Sequence, residues 1–226
     1  MVPEHPCSTV KRTRILVVDD HPVVREGLAV RIHTQPDLIV CGEAEDVAGA
    51  LAQLGAVRPE VAIVDLALKT GNGIELIKRL KARDPALRII VCSMYDESLY
   101  AERALRAGAM GYVHKGRATR EILEAIRSVQ DGKVFLSAEL SSEVLGRLIG
   151  RTRRKSAYPA IETLSDRELE TFELIGQGLT TDRVAERMNV SPKTVETYRS
   201  RIKEKLGLSS FTEVVQRAVQ WMVERV

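Results

Sequence analysis

The first half of the chain alternates two hydrophobic patterns. Short apolar runs rich in β-branched residues occur at Ile15–Val18, Leu38–Cys41, Val61–Val64, Ile89–Cys92 and Gly111–Val113. A run that is apolar at every position has no face to leave in water, which predicts strands buried on both sides of a parallel sheet. Between these runs the apolar residues recur at helical spacing. Val23, Val24, Gly27, Leu28 and Ile32 mark one such stretch, and Val47, Ala50, Leu51 and Leu54 the next. Ile74, Leu76, Ile77 and Leu80, then Leu99, Ala101, Ala104 and Leu105, mark two more. The last runs through Ile122, Leu123, Ala125, Ile126 and Val129 and stops at Asp131-Gly132. Strands alternating with helices in this way predict a doubly wound, flavodoxin-like α/β domain with a five-stranded parallel sheet over residues 13–131. Its ligands are expected at the carboxyl ends of the strands.

After residue 131 the alternation ends. A helical period through Leu140, Val144, Leu145 and Leu148, then a stretch from Arg151 to Pro159 without apolar periodicity, predict a helical and basic linker over residues 132–159. From residue 160 to 226 only helical spacing remains, which predicts an all-α domain of four helices. Leu169, Phe172, Leu174 and Ile175 end at Gly176-Gln-Gly178, and Val184, Ala185 and Met188 end near Asn189. Val195, Ile202 and Leu206 end at Gly207, and Phe211 to Val223 closes the chain. Ser191-Pro192 opens the third of these helices, with Ser as N-cap and Pro at the first helical position.

Composition narrows the class. With 44% hydrophobic and 29% charged residues the chain is an ordinary globular one, neither disordered nor fibrous. No apolar stretch approaches the roughly 20 residues of a membrane span, and Met1 to Thr13 lacks the apolar core of a signal peptide. Cys7, Cys41 and Cys92 are too scattered for a disulfide framework or a paired metal motif, so a cytoplasmic protein is expected. The net charge of +3 is unevenly distributed. Residues 1–131 hold 18 basic and 18 acidic side chains, whereas residues 132–226 hold 16 and 13. A neutral front and a basic back predict different partners for the two halves.

Polar residues mark the strand ends. Asp19 and Asp20 follow the first apolar run, Asp65 the third and Ser93 the fourth, while Lys115 closes the fifth. Each alone is unremarkable: an Asp after a strand is most often a turn or cap residue, and Asp20 before His21-Pro22 would suit a helix cap. Together they converge on one sheet edge. Three carboxylates there are unfavourable unless a cation intervenes, which points to a hard divalent ion with oxygen ligands. A Lys beside them can neutralise a phosphoryl oxygen, and a carboxylate can act as a covalent nucleophile in phosphoryl transfer.

On these residues the first domain resembles the receiver domain of bacterial two-component response regulators. Ile-Leu-Val-Val-Asp19-Asp20-His21-Pro22 resembles its acidic opening, and Asp65 within Val-Ala-Ile-Val-Asp-Leu matches its phospho-accepting position. Ser93 and Gly108-Ala-Met-Gly-Tyr112-Val-His-Lys115 match its hydroxyl residue, switch aromatic and lysine. The resemblance implies that Asp20 and Asp65 ligate Mg²⁺, with Asp19 acting through water and the Ala67 backbone carbonyl as a further ligand. It implies that Ser93 and Lys115 hold the phosphoryl oxygens and that Tyr112 changes rotamer as Ser93 moves. One departure is Ala67-Leu68-Lys69, where the family often has Asn and then Met-Pro; this bears on rates and leaves the chemistry intact.

The second half resembles the LuxR-type helix-turn-helix, through Leu164-Ser-Asp-Arg-Glu168, Gly178-Leu-Thr-Thr and the run from Val184 to Gly207. Tyr198 departs from the family's usual His, and Asp182-Arg183-Val184 from its common pattern. The whole chain is similar to NarL/FixJ-type response regulators. At 100° per residue Lys193, Thr197, Ser200 and Glu204 share the outer face of the recognition helix, flanked by Glu196 and Arg201. Glu196 and Thr197 suit base edges, Lys193 and Thr194 suit phosphates near the helix N-terminus, and Ser200 and Arg201 extend the contact surface. Arg199, Arg201, Lys203 and Lys205 supply cations, with Arg199 placed where it could instead brace the domain. In the family the last helix also dimerises on DNA, which implies a role for Val215, Val219 and Met222.

The expected function is a transcription regulator, not an enzyme, although it accepts a phosphoryl group and could catalyse its own phosphorylation and dephosphorylation. Its expected partners are a sensor histidine kinase, a two-fold related DNA site and a second copy of the chain, with no membrane partner. An aspartyl-phosphate phosphatase would need a second Asp where Ala67 stands. A flavin-binding protein would need a phosphate loop where Asp19-Asp20 would repel phosphate. A regulator that binds DNA without phosphorylation is the closest rival.

Overall fold

The computed structural model describes residues 12–142 and 159–224. The expected helical period through Val144, Leu145 and Leu148 and the basic stretch Arg151, Arg153, Arg154 and Lys155 lie outside these residues. The chain divides into two compact units, with the main break between Ser137 and Ala138.

The first unit contains all five expected strands. These are β1 (Thr13–Val18), β2 (Leu38–Ala44), β3 (Val61–Val64), β4 (Arg88–Ser93) and β5 (Gly111–His114). They form one parallel sheet in the order β2-β1-β3-β4-β5. The helices between and after them are α1 (Pro22–His33), α2 (Val47–Val57), α3 (Gly73–Arg83), α4 (Glu97–Ala107) and α5 (Ala118–Gln130). On one face Ile15, Val17, Ile63, Ile90, Cys92 and Val113 pack with Leu28 and Ile32 of α1 and Ile122, Ile126 and Val129 of α5. The alternate strand residues Leu16, Val18, Ala62, Val64 and Val91 are equally buried. They face the side where right-handed crossovers carry α2, α3 and α4. This two-sided burial is why the strands read as unbroken apolar runs. Val23, one of the apolar residues whose spacing marks α1, is 79% exposed. The buried seam of α1 is Leu28 and Ile32.

Asp46 and Asp96 cap α2 and α4 by accepting from Gly49 N and Ser98 N. The first unit runs past Asp131. Phe135 bridges to Gly111 at the edge of β5, with its carbonyl accepting from Tyr112 N at 2.9 Å.

The second unit is helical. After the short α6 (Pro159–Glu162) come α7 (Asp166–Gly176), α8 (Thr181–Met188), α9 (Pro192–Lys205) and α10 (Phe211–Val223). Each long helix starts on a hydroxyl cap: Ser165, Thr180, Ser191 and Ser210. At α7 the cap is reciprocal, because Glu168 Oε2 accepts from Ser165 N at 2.8 Å while Ser165 Oγ accepts from Glu168 N. Trp221 and Phe172 are fully buried with ring centroids 5.6 Å apart. The helix ends where the glycines stand: Gly176 is the last residue of α7, and Gly178 takes the left-handed conformation at φ +83°. Gly176 allows α7 and α10 to approach closely, since a Cβ there would sit 2.8 Å from the Ala218 carbonyl oxygen.

Candidate functional site

The strand order determines where the acidic residues meet. From β1 the chain crosses to β2 on one side, then returns to β3 on the other, so a crevice opens beyond the carboxyl ends of β1 and β3. Val18 pairs with Val64, which sets Asp19 beside Asp65. Both are 2% exposed, and Ser93 at the end of β4 is fully buried. Lys115, directly after β5, extends back so that its Nζ lies 2.7 Å from Asp19 Oδ2 and 2.7 Å from Asp65 Oδ2. Ala67 N donates to Asp65 Oδ1 at 3.2 Å, bringing the backbone at Ala67 next to the carboxylate. Asp20 is not a helix cap. The N-cap of α1 is His21, which has no side-chain cap.

The charges here are unbalanced. Burial pushes the Asp65 carboxyl above its usual range, against the Lys115 ammonium, and the neighbouring Asp19 carboxylate adds to the rise. Burial works against the Lys115 charge too, but the Asp65 and Asp19 carboxylates outweigh it and raise its pKa. One ammonium therefore does not compensate the cluster. The carboxylates of Asp19, Asp20 and Asp65 supply hard oxygen donors with a His21 ring nitrogen beside them, and one such atom from each lies within 4.8 Å of the others. Such a set fits Mg²⁺. His21 was not among the expected site residues, although its place directly after Asp20 was a signal for it.

Tyr112 is 1% exposed, with its hydroxyl donating to Tyr95 O at 2.8 Å. Cys92, next to Ser93, is a core residue; burial pushes its thiol up to about 12.

In the second unit Lys193, Glu196, Thr197, Ser200 and Arg201 are exposed along α9, and Thr194 is half-buried. Thr194 completes the cap, with N donating to Ser191 Oγ. The Thr197 and Ser200 hydroxyls each donate to the carbonyl four residues earlier, Lys193 O and Glu196 O, at 3.0 Å. Two of the expected cations are engaged within the fold. Arg199 bonds Thr181 Oγ1 and Glu196 Oε1 and lies over the Phe211 ring, 3.1 Å from its centroid. It therefore braces α8, α9 and α10 and holds the Glu196 carboxylate. Lys205 Nζ donates to Glu168 Oε2 at 2.6 Å and to Thr163 O at 3.1 Å, tying the end of α9 to the start of α7. On α10 the buried seam is Val214, Ala218 and Trp221. Val219 is 42% exposed, whereas Val215 and Met222 are half-buried.

A doubly wound domain with an acidic, lysine-closed crevice, followed by a tight helical unit with an exposed polar helix, defines a signal-receiving module joined to a helix-turn-helix module. Comparison with known proteins agrees. The response regulator receiver domain family matches residues 15–127, and the luxR family of bacterial regulatory proteins matches residues 162–218. The chain is 36% identical over 207 residues to the DNA-binding transcriptional activator DevR/DosR of Mycobacterium tuberculosis, covering 92% of this chain and 94% of that protein. It is 31% identical over 210 residues to the oxygen regulatory protein NreC of Staphylococcus aureus, covering 92% and 97%. Among solved structures, RcsB of Salmonella enterica serovar Typhimurium bound to a promoter with phosphomimetic BeF₃⁻ superposes with a TM-score of 0.67 at 26% identity. That match covers 92% of this chain and 98% of that one. The chain belongs to the two-component response regulators of the NarL/FixJ type, with a receiver domain and a LuxR-type DNA-binding domain. Among the described residues no helix is long and apolar enough to cross a membrane.

Proposed function

We propose that this regulator is switched by transfer of a phosphoryl group to Asp65, that the receiver comprises residues 13–131 together with the Phe135 segment paired to β5, and that the DNA-binding domain comprises residues 160–226. The observation that carries the reading is the Lys115 ammonium held 2.7 Å from both Asp19 and Asp65 at the crevice of the sheet. A sensor histidine kinase supplies the group: an Asp65 carboxylate oxygen bonds to phosphorus as the phosphorus–nitrogen bond of the phosphohistidine breaks. Lys115 and Ser93 hold the phosphoryl oxygens. Asp19, Asp20, Asp65 and the Ala67 carbonyl would hold Mg²⁺, which when bound neutralises charge developing on those oxygens. The same residues serve self-phosphorylation from a small phosphodonor and self-dephosphorylation. Tyr112 follows Ser93 as the switch aromatic.

The output is sequence-specific binding of a dimer to a two-fold related DNA site in the cytoplasm. Lys193, Thr194 and Arg201 meet phosphates, while Glu196 and Thr197 meet base edges, with Ser200 beside them. The Thr197 hydroxyl is engaged by Lys193 O, so its methyl is the group left for a thymine. Val215, Val219 and Met222 of α10 serve the dimer. Acetyl phosphate with Mg²⁺ should phosphorylate the wild type and not Asp65→Asn, read by intact-protein mass. Uptake by Asp65→Asn would remove the assignment.

A second reading, a regulator that binds DNA without phosphorylation, is favoured by Ala67-Leu68-Lys69, which departs from the family's usual loop after the phospho-accepting position. Equal, salt-sensitive DNA binding by unphosphorylated wild type and Asp65→Asn would favour this reading over the first.

A further inference from the structure

Lys115 and Ser93, the two residues that hold the phosphoryl oxygens in the reading above, are tied together by a third, His114. In the sheet ladder His114 is the partner of Ser93, at the last register position of β4 and β5. Lys115 opens a single 3₁₀ turn, Lys115–Arg117, and His114 is its N-cap: Gly116 N donates to His114 Nδ1 at 3.2 Å. The ring lies close over the turn, since a Cβ on Gly116 would stand 3.1 Å from Nδ1. The other ring nitrogen, Nε2, lies 3.2 Å from Met94 O. That carbonyl belongs to the same peptide group as Tyr95 N, which donates to Ser93 Oγ at 3.4 Å. One imidazole therefore braces both the turn that aims the Lys115 ammonium and the peptide that orients the Ser93 hydroxyl.

The two bonds fix where the ring carries its proton. A backbone N–H can only donate and a carbonyl can only accept, so Nδ1 is bare and Nε2 is protonated. A second proton would set N–H against N–H at Gly116 and break the cap. The charged groups at this end of α4, the turn and α5 are engaged with one another or with the crevice. Lys115 meets Asp19 and Asp65, Arg117 meets Glu97 and Glu121, and Asp96 caps α4. We infer that neutral His114 is a positioning residue for phosphoryl transfer, acting through Lys115 and Ser93, and that its protonation slows the transfer. The inference rests on the phosphoryl site proposed above.

The test follows phosphoryl uptake from acetyl phosphate with Mg²⁺ by intact-protein mass, on the full chain and from about pH 8 to about pH 5. In His114→Asn the amide oxygen can replace Nδ1 as acceptor from Gly116 N and does not titrate, whereas His114→Leu loses both bonds. At about pH 8, His114→Leu should be slower than wild type by roughly five- to tenfold and His114→Asn by no more than about threefold. Titrations common to both proteins, those of His21, Asp65 and the phosphodonor included, cancel in the ratio of wild-type to His114→Asn rates. That ratio should fall by about fivefold as the pH drops to about 5. A flat ratio, or uptake by His114→Leu at the wild-type rate, would overturn the role of His114. Nitrogen–proton correlation NMR of the wild type should find the His114 ring bare at Nδ1 at about pH 8, and a proton there would overturn it as well. Uptake by Asp65→Asn, run alongside, would instead strike the phosphoryl site itself.

Discussion

Replacing Gly176 by Ala sets a favourable local effect against an unfavourable packing effect. Gly176 is the last residue of α7 and has no positive φ, so Ala there should gain at most the helix-interior propensity of about 0.8–1 kcal/mol. The added Cβ, however, would lie 2.8 Å from the Ala218 carbonyl oxygen and 2.8 Å from Met222 Cγ. The Met222 side chain can swing away, but the Ala218 carbonyl is backbone and moves only with α10. The helices must part by roughly half an ångström to reach ordinary contact. That displaces α10 beside its buried seam of Val214, Ala218 and Trp221. Overpacking of this kind costs about 1–3 kcal/mol. The packing cost is the larger at mid-range, and a net loss of about 1 kcal/mol, at most about 2, is expected. In a domain of this size that lowers the thermal midpoint by roughly 5–15 °C. Trp221 is the chain's single tryptophan and is fully buried in the second unit, so its fluorescence reports on that unit. Gly27→Ala is the matched comparison: in α1 its Cβ would meet nothing within 4 Å, and the same exchange should stabilise the first unit by about 0.5–1 kcal/mol. A midpoint for Gly176→Ala equal to or above wild type would refute the close-approach argument.

The remaining predictions concern charge. Lys115→Met leaves the buried Asp19 and Asp65 carboxylates without their ammonium and should destabilise the receiver by about 3–5 kcal/mol; in urea the far-ultraviolet dichroism transition should move while the Trp221 fluorescence transition does not. Burial pushes the Glu168 carboxyl up, but Lys205 and the Ser165 N–H together hold it below its usual value of 4.5. A depressed folded pKa stabilises above the unfolded pKa and is lost as pH falls through the folded one, so second-unit stability should drop below about pH 4.5. Glu168→Gln should be less stable near neutrality and flatter across that window; an unchanged pH slope would contradict the ion pair. On DNA, Lys193→Ala should weaken binding to all sequences and reduce the salt dependence by about one phosphate contact. Glu196→Ala and Thr197→Ala should shift sequence preference in a randomised-site selection, and a uniform effect from all three would argue against base reading.

Much of this protein was legible in one dimension. The five strands stand where the unbroken apolar runs stand, because burial on both faces leaves no room for alternation. Asp19, Asp65, Ser93 and Lys115 could be grouped before any coordinates, since parallel strands all end on the same edge and each of these residues directly follows a strand or ends one. Ser191-Pro192 marked the start of α9 through cap chemistry that is wholly local. The apolar stripe of the last helix was legible only in period. Val214, Val215, Ala218, Val219 and Met222 form a broad band, and what packs against it selects Val214, Ala218 and Trp221 as the seam.

The sequence by itself determined the order of elements, the sheet edge that carries the acidic site, and the amphipathic helices of the second half. Hydrophobic periodicity, turn residues and caps act over a few residues and leave their record along the chain. Only the tertiary structure decided which long side chains face solvent and which brace the fold. Lys205 looked like a phosphate contact in a basic helix and Arg199 was open to either role, yet Arg199 closes on Thr181, Glu196 and Phe211 and Lys205 on Glu168 and Thr163. Several of those partners lie far away in sequence, and a flexible cation bonds to whichever acceptor the packing brings within reach. The same holds for Gly176, which ends its helix as its type suggests and also admits a neighbouring one, through an approach to Ala218 that no local signal shows.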